Sequence, residues 1–361
     1  MCGIVGYVGA RPVRELLLEG LGKLEYRGYD SAGISVIADG QIEAVRAVGN
    51  LSALEAKIHA TSAAAQSNGA VAVAQKPAST GIGHTRWATH GRVSEENAHP
   101  HYDNDDRVHV VVNGIVENYM ALKERLTAEG CVFTSETDAE VIAHLVAAHY
   151  DGDLAEAVRL AFNELEGHYA FVAMSLDEPD LLVGARKECP LIVGRGEGEQ
   201  FVASAVPAFL SETRDVQYVE NGEIVALRPE GTRIMTGAGE EVQRPVERVD
   251  WDQETAEKGG YDTFMLKEIH EQADAVADTI FDRTARGDGE QFVASAITAF
   301  LSETRVVQYL ENGEIVVLRP DGATIMTPSG EQVQRPAQAV EWDEETIEKG
   351  GFETFMLKEI N

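Results

Sequence analysis

The chain opens with the apolar run MCGIVGYVG (residues 1–9), in which a cysteine directly precedes a strand-like segment. Residues 4–8 predict a short buried strand. Residues 13–24 predict a helix, because apolar residues recur there with helical spacing after Pro12. Glycines interrupt the opening run and no basic residues precede it, which is not typical of a signal peptide. The sequence therefore predicts a strand and then a helix immediately after a nearly terminal thiol, Cys2.

Strands and helices then follow in blocks. Further strands are predicted at residues 33–38, 107–112, 169–175, 181–185 and 191–193, with a turn at Asn113-Gly114. Helices are predicted at residues 117–129 and 137–149, and a surface helix and loop at residues 60–80. Because the two kinds of element do not alternate strictly, the pattern favours an α+β fold over a doubly wound parallel sheet.

Charge and cysteine content exclude several classes of function. The 361 residues include 61 acidic and 30 basic side chains, a formal net charge of −31. This balance argues against binding to nucleic acid or to an anionic membrane surface. Only 9 of the 30 basic residues are lysine, which fits either a halophilic protein or an ordinary acidic cytosolic protein. Three cysteines form no disulfide framework, and no apolar stretch reaches 18 residues, so a cytoplasmic protein is expected.

Cys2 is the strongest candidate nucleophile. Once Met1 is removed, the α-amino group of Cys2 has a pKa of about 7.7–8.0 and can accept the thiol proton near neutral pH. One residue then supplies both nucleophile and base. A cysteine at position two carries little weight alone, but further motifs follow in order: EYRGYDSAG from Glu25, GHTRWATHG from Gly83, NAHPH from Asn97, NGIVEN from Asn113 and SETDAE from Ser135.

Together with the opening run, these motifs resemble the class II (Ntn-type) glutamine amidotransferases, in particular the glutaminase half of the glutamine–fructose-6-phosphate aminotransferases (isomerizing). The resemblance covers residues 1–280, and FMLKEIHEQADAVADT from Phe264 resembles that family's linker to its isomerase half. It implies a four-layer αββα Ntn-hydrolase sandwich that hydrolyses L-glutamine to glutamate and ammonia through a Cys2 thioester, without a cofactor. In the full-length family this ammonia converts fructose 6-phosphate to glucosamine 6-phosphate for hexosamine synthesis.

Four residues have physical roles that fit this chemistry. The planar guanidinium of Arg86 suits the α-carboxylate of glutamine, and Asp138 suits its α-ammonium group. Asn113 and the backbone N–H of Gly114 suit an oxyanion hole. Taken singly, each has a structural alternative: Arg86 in an ion pair, Asp138 at a helix start, and Asn113-Gly114 as a hairpin turn. Their order after Cys2 favours the functional interpretation.

The resemblance adds further site residues. It implies that Arg27 and Gly28 lie near the nucleophile, that Trp87 gates an ammonia channel, and that Thr89 and His90 belong to the substrate loop. This chain has Val112 where the family commonly has histidine before Asn-Gly. We expect this difference to tune the catalytic activity rather than abolish it.

Other reactive side chains are expected to have no role in the chemistry. Cys131 and Cys189 are expected to be inert. The spacing of the four histidines of the motifs fits no common zinc site, so no metal is expected; they are His84, His90, His99 and His101.

A long internal repeat follows the motifs. Residues 195–269 align with residues 286–360 at a constant offset of 91, with 55 identities in 75 pairs. We predict a glutaminase domain at residues 2–245, a linker at 246–285 and a near-copy at 286–361. One copy is expected to complete the sandwich, while the other packs as a satellite or stays mobile. The alternative is that the repeat arose from gene assembly or from a fusion of two related fragments.

Nothing in the chain resembles the family's isomerase domains, so this chain alone is expected to perform only the glutaminase half-reaction. Its predicted partner is L-glutamine, with fructose 6-phosphate relevant only through isomerase domains. A homodimer is compatible with the sequence. Two alternatives stay open: another class II amidotransferase, and a non-catalytic glutamine-binding fragment.

Overall fold

A computed structural model describes residues 2–67, 78–88 and 91–250 of the chain, together with five short strands between residues 306 and 339. The chain divides into two compact units, Met1–Glu268 and Ile269–Asn361. The predicted linker motif that begins at Phe264 lies outside the described residues.

The first unit contains two groups of strands flanked by helices. Its described strands are β1 (Gly3–Val8), β2 (Ser31–Ala38), β3 (Gln41–Val48), β4 (Thr80–Arg86), β5 (His101–Tyr102), β6 (Val108–Val116), β7 (Gly167–Ser175), β8 (Leu182–Lys187), β9 (Ile192–Gly196), β10 (Glu199–Ala203), β11 (Asp215–Tyr218), β12 (Glu223–Arg228), β13 (Gly231–Thr236), β14 (Glu241–Val242) and β15 (Glu247–Arg248). Its described helices are α1 (Val13–Leu24), α2 (Leu51–Ser67), α3 (Tyr119–Ala128), α4 (Glu140–His149) and α5 (Leu154–Glu164). No helix in these ranges is long and apolar enough to cross a membrane.

The strands form two antiparallel sheets. The eight-stranded sheet has the order β15-β11-β9-β10-β1-β4-β2-β3, and the seven-stranded sheet has the order β14-β13-β12-β8-β7-β6-β5. β1 lies inside the first sheet, paired antiparallel with β10 and with β4. Since Cys2 immediately precedes β1, the thiol is held at the end of a central strand.

Three hydrophobic clusters separate four layers. One cluster lies between the two sheets and includes Ile4 and Ile82 from the first sheet and Val111 and Val172 from the second. Another joins α1 and α2 to the eight-stranded sheet, and a third joins α3, α4 and α5 to the seven-stranded sheet. The predicted α+β class and αββα sandwich are therefore confirmed.

The local predictions were confirmed best where periodicity is strong. Helix α1 has the predicted bounds, Val13–Leu24, and β1, β2, β7, β8 and β9 lie within a few residues of their predicted positions. Helix α2 begins at Leu51, earlier than the predicted surface helix, and β3, β4 and α5 were not predicted. For α5 a signal was present, because the Asp153 side chain caps the helix by accepting the Glu156 N–H at 3.1 Å.

The predicted turn at Asn113-Gly114 is wrong. Strand β6 continues through both residues to Val116 and pairs with β7 along its whole length. Only Gly114 adopts a positive φ, of 97°, so the Asn-Gly pair does not form the hairpin turn that requires two positive φ values. This continuation places Asn113 and Gly114 within a strand beside Cys2.

In the second unit the described strands are β16 (Val306–Val307), β17 (Ile315–Arg319), β18 (Gly322–Met326), β19 (Gln332–Val333) and β20 (Gln338–Ala339). Their pairing repeats that of the first copy at the offset of 91. Val306 pairs with Ala339 as Asp215 pairs with Arg248. The registers of β17 with β18 and of β18 with β19 likewise repeat those of β12, β13 and β14. In the first copy, the equivalent strands belong to the two large sheets of the first unit.

Candidate active site

A cavity of about 280 Å³ lies where β1, β4 and β6 meet the segment before α4. It brings together most of the predicted site residues that the structure describes. Its lining residues are Cys2, Arg27, Arg86, Trp87, His99, Val112, Asn113, Gly114, Ile115, Thr137, Asp138, Ala139, Cys189 and Pro190.

The Cys2 thiol lies against the backbone at the end of β4. The Trp87 N–H donates a hydrogen bond to Cys2 Sγ at 3.2 Å, and Sγ lies 3.6 Å from the Trp87 carbonyl oxygen. Burial raises the pKa of the Cys2 thiol, while the Trp87 N–H and the charge of Arg86 act in the opposite direction. The thiol is therefore protonated near neutral pH and needs a base when it reacts.

Asn113 and Gly114 approach Cys2 from the second sheet. The Asn113 Nδ2 donates to the Cys2 carbonyl oxygen at 3.1 Å. Gly114 tolerates no side chain, because a Cβ there would lie 2.0 Å from the His168 carbonyl oxygen and 2.9 Å from Cys189 Sγ. The two residues thus form a crowded polar wall beside the nucleophile, although neither lies in the predicted turn.

Arg86 and Asp138 bring opposite charges to the cavity wall. Both side chains are almost fully buried. The Arg86 guanidinium donates to the carbonyl oxygens of Arg92 at 3.3 Å and Gly91 at 3.2 Å. Asp138 accepts the Val116 N–H at 2.7 Å, which ties it to the strand that carries Asn113. Burial lowers the pKa of Arg86, opposed by the charges of Cys2, Asp30 and Asp138.

Glu140 fixes the segment that carries Asp138. Its carboxylate accepts the backbone N–H groups of Thr134 at 2.8 Å and Ser135 at 2.7 Å, and the Ser135 hydroxyl at 2.6 Å. Burial would raise the Glu140 pKa, but these bonds and His144 outweigh burial and lower it to about 2. The residues of the SETDAE motif therefore hold one another in place, and α4 begins at Glu140 rather than at residue 137 as predicted.

The remaining predicted residues occupy different positions around the cavity. Arg27 lines it, and its Nε donates to the Tyr26 hydroxyl at 3.0 Å. Gly28 lies behind the cavity wall, where a Cβ would come within 2.7 Å of the Trp87 nitrogen. The Trp87 ring packs edge-on against Tyr29, with ring centroids 5.4 Å apart. The predicted substrate-loop residues Thr89 and His90 lie outside the described residues.

Several lining residues were not predicted as site residues. Thr137 and His99 belong to the motifs SETDAE and NAHPH, so their motif membership was a usable signal. Cys189, expected to be inert, lines the same cavity as Cys2, and only the fold brings it there. Val112, where the family commonly has histidine, also lines the cavity. In the described part of the chain, no cluster of side chains is suited to a metal ion.

Comparison with known proteins identifies the class of this domain. Residues 84–211 match the family model described as a glutamine amidotransferase domain. The fold is similar to a solved structure of glutamine phosphoribosylpyrophosphate amidotransferase from B. subtilis complexed with ADP and GMP. That match has a TM-score of 0.53 and 26% identity, and it covers 65% of this chain and 49% of the other. The chain therefore carries a class II glutamine amidotransferase domain with the Ntn-hydrolase fold.

Curated relatives narrow the family. The chain is 47% identical over 287 residues to the glutamine–fructose-6-phosphate aminotransferase (isomerizing) of Clostridium tetani, covering 80% of this chain and 45% of that protein. Identity to the enzyme of the same name from Symbiobacterium thermophilum is 49% over 289 residues, covering 80% and 45%. The chain thus spans less than half the length of these relatives. The similarity is to the N-terminal glutamine amidotransferase part of these enzymes.

Proposed function

We propose that this chain hydrolyses free L-glutamine to glutamate and ammonia, with Cys2 as the nucleophile. The observation that carries the proposal is the cavity that places Cys2, the polar pair Asn113-Gly114 and the opposite charges of Arg86 and Asp138 around one space. Its volume of about 280 Å³ suits a small substrate. For glutamine hydrolysis the protein has to supply only a nucleophile, a base and an oxyanion site.

The reaction proceeds in two acyl-transfer steps. The Cys2 Sγ attacks the side-chain carbonyl carbon of glutamine, and the thiol proton passes through the α-amino group of Cys2 to the leaving nitrogen, which departs as ammonia. Water then attacks the thioester, its proton returns to the thiol, and glutamate is released. The sum is one glutamine and one water consumed, with one glutamate and one ammonia produced.

The environment of Cys2 supports an intrinsic base. Because burial raises the thiol pKa, a thiolate is scarce near neutral pH and proton removal must accompany attack. The free α-amino group exists only after removal of Met1. The Asn113 Nδ2 and the Gly114 N–H then stabilise the oxyanion of the tetrahedral intermediate.

Arg86 and Asp138 select free glutamine. The Arg86 guanidinium pairs with the α-carboxylate and the Asp138 carboxylate with the α-ammonium group. A glutaminyl residue within a peptide lacks both charges, so it offers neither buried group an opposite charge. Trp87, Thr89 and His90 complete the substrate loop in this proposal.

The names of the relatives support a proposal for the destination of the ammonia. Their name specifies fructose 6-phosphate, and we propose a sugar phosphate as acceptor, bound by isomerase domains rather than by the residues of this cavity. On this proposal residues 2–245 form the glutaminase domain and residues 246–285 the linker. We also propose that the protein is cytoplasmic and forms a homodimer.

Turnover of Cys2→Ala tests the proposal. Glutamate release should fall to the background rate, because no other described residue has both a thiol side chain and, after removal of Met1, a free α-amino group. Cys131→Ala is the matched control and should leave turnover unchanged, since Cys131 is half-buried against the cluster that joins α3, α4 and α5 to the seven-stranded sheet and does not line the cavity. Intact-mass measurement should show a wild-type chain lighter by one Met residue. Equal turnover of Cys2→Ala and wild type would eliminate the mechanism.

A further inference from the structure

Three buried histidines form a stack at the cavity wall, where His99 is a lining residue and His84 and His101 are not, and the proposed reaction uses none of them as acid, base or nucleophile. The rings of His84 and His99 are parallel, with centroids 4.1 Å apart, and the rings of His99 and His101 meet edge-on at 4.5 Å. All three side chains are at most 5% exposed. Burial lowers the pKa of His84 to about 4 and of His101 to about 3, so each ring is neutral at pH 7.

The neighbours of His84 determine where its single proton lies. The Cys2 carbonyl oxygen can only accept, so the Asn113 atom 3.1 Å from it must be the amide nitrogen. The amide oxygen of Asn113 therefore faces His84 Nε2 at 3.0 Å, and Nε2 must carry the proton. His84 Nδ1 has no hydrogen-bond partner within the described ranges, so the opposite tautomer would bury an unpaired N–H.

The position of the proton on His99 is set in the same way, by Val112, which is the residue of β6 before Asn113. The Val112 N–H can only donate, and it donates to His99 Nδ1 at 3.1 Å, so His99 carries its proton on Nε2. His101 Nε2 lies 3.0 Å from the Thr137 hydroxyl, which belongs to the segment that carries Asp138. The stack thus connects the oxyanion strand to the glutamine-binding segment through neutral, oriented rings.

We propose that His84 is a positioning residue that holds the Asn113 amide with Nδ2 directed at the nucleophile. A flipped amide would bring its oxygen against the Cys2 carbonyl oxygen and against the developing oxyanion, and its NH₂ group would meet the His84 N–H. His84 itself is not among the residues that line the cavity, so it acts only through Asn113. The proposal rests on the proposed oxyanion role of Asn113.

A double-mutant cycle in the full chain separates the positioning role of His84 from the oxyanion role of Asn113. His84→Leu should lower kcat for glutamine about 10–100-fold with little change in KM, because a misplaced catalytic group costs up to about 100-fold. In the Asn113→Ala background, His84→Leu should cause no further loss of kcat. His84→Gln should retain most of the activity, since its amide nitrogen can reach the position of Nε2, whereas the shorter His84→Asn should not.

His109→Leu is the matched control for a lost buried histidine. His109 lies in β6 four residues before Asn113, is fully buried, and bonds to Ser35 at 2.8 Å and Asp106 at 2.9 Å. It should lower the unfolding midpoint without lowering kcat. If His84→Leu does not fold, the contrast between His84→Gln and His84→Asn decides the question instead. Additive losses from His84→Leu and Asn113→Ala, or equal activity of the Gln and Asn variants, would overturn the positioning role. Unchanged kcat in Asn113→Ala would instead remove the oxyanion role.

Discussion

Replacing Asn113 with alanine tests the oxyanion site directly. The side chain is buried and makes two hydrogen bonds, one from Nδ2 to the Cys2 carbonyl oxygen at 3.1 Å and one from His84 Nε2 to Oδ1 at 3.0 Å. Loss of one oxyanion donor typically lowers kcat by about 10²–10³, equivalent to about 2.7–4 kcal/mol of transition-state stabilisation. KM should change little, because the proposed contacts of Arg86 and Asp138 with the two α-charges of glutamine are left intact.

The same substitution also lowers the stability of the fold. At about 0.5–1.5 kcal/mol for each hydrogen bond, the two lost bonds reduce the free energy of unfolding by roughly 1–3 kcal/mol. Asn118→Ala is a matched control. Its Nδ2 donates to the Glu164 carbonyl oxygen at 2.8 Å and its Oδ1 accepts the Glu166 N–H at 3.0 Å, away from the cavity. Asn118→Ala should lose comparable stability and keep the wild-type kcat.

The assay is glutamate release at saturating glutamine, with urea unfolding of the same samples. A kcat of Asn113→Ala that stays within about threefold of wild type, well short of the loss expected for an oxyanion donor, would refute the reasoning. An equal fall of kcat in Asn113→Ala and Asn118→Ala would refute it as well, because the loss would then follow stability rather than position.

Two other predictions concern binding and pH. Asp138→Asn should raise KM for glutamine roughly 10–150-fold in steady-state assays while kcat falls less, because a hydrogen bond to a charged group contributes about 1.5–3 kcal/mol; a KM within twofold of wild type would exclude the ammonium contact. The free energy of unfolding should fall as the pH drops from 6.5 towards 4. The unfolded chain binds a proton at His84 below pH 6.5, whereas burial lowers the pKa of folded His84 to about 4. That difference is worth about 3 kcal/mol at 1.36 kcal/mol per pH unit. Urea unfolding at several pH values should show a shallower acid decline for His84→Gln than for wild type, and identical slopes would contradict the assignment.

The fold could be predicted where local pattern and tertiary context agree. Helix α1 has the predicted bounds because its apolar spacing matches the face that it buries against β1 and β4. At Asn113-Gly114 the local preference for a hairpin turn is overridden, because β7 pairs with every residue of β6 from Val108 to Val116. The partner strand begins more than 50 residues later in the chain, so no local pattern could reveal that the strand continues.

The candidate site shows the same division. Motif order pointed to Cys2, Arg86, Asn113 and Asp138, and the fold brings all four to one cavity. Cys189 lies in its wall because the connection between β8 and β9 comes next to Gly114 of β6, where a Cβ would lie 2.9 Å from Cys189 Sγ, and no motif encodes that contact. The proton position on His84 depends on which atom of Asn113 faces a carbonyl oxygen, and that information exists only in three dimensions.

The duplicated block shows which part of the strand pairing is local. Two copies that differ at 20 of 75 positions, since 55 are identical, adopt the same register in every pairing the structure describes within the second unit. In the first copy these strands belong to sheets of eight and seven strands, whereas in the second the described strands form sheets of two and three. Register therefore does not require the large sheets. Between β17, β18 and β19 it is specified by the short connections and the alternating side chains of the block itself. What the first copy gains from the rest of the first unit is a place in the sandwich, because β9 and β10 join it to β1, the strand that follows Cys2.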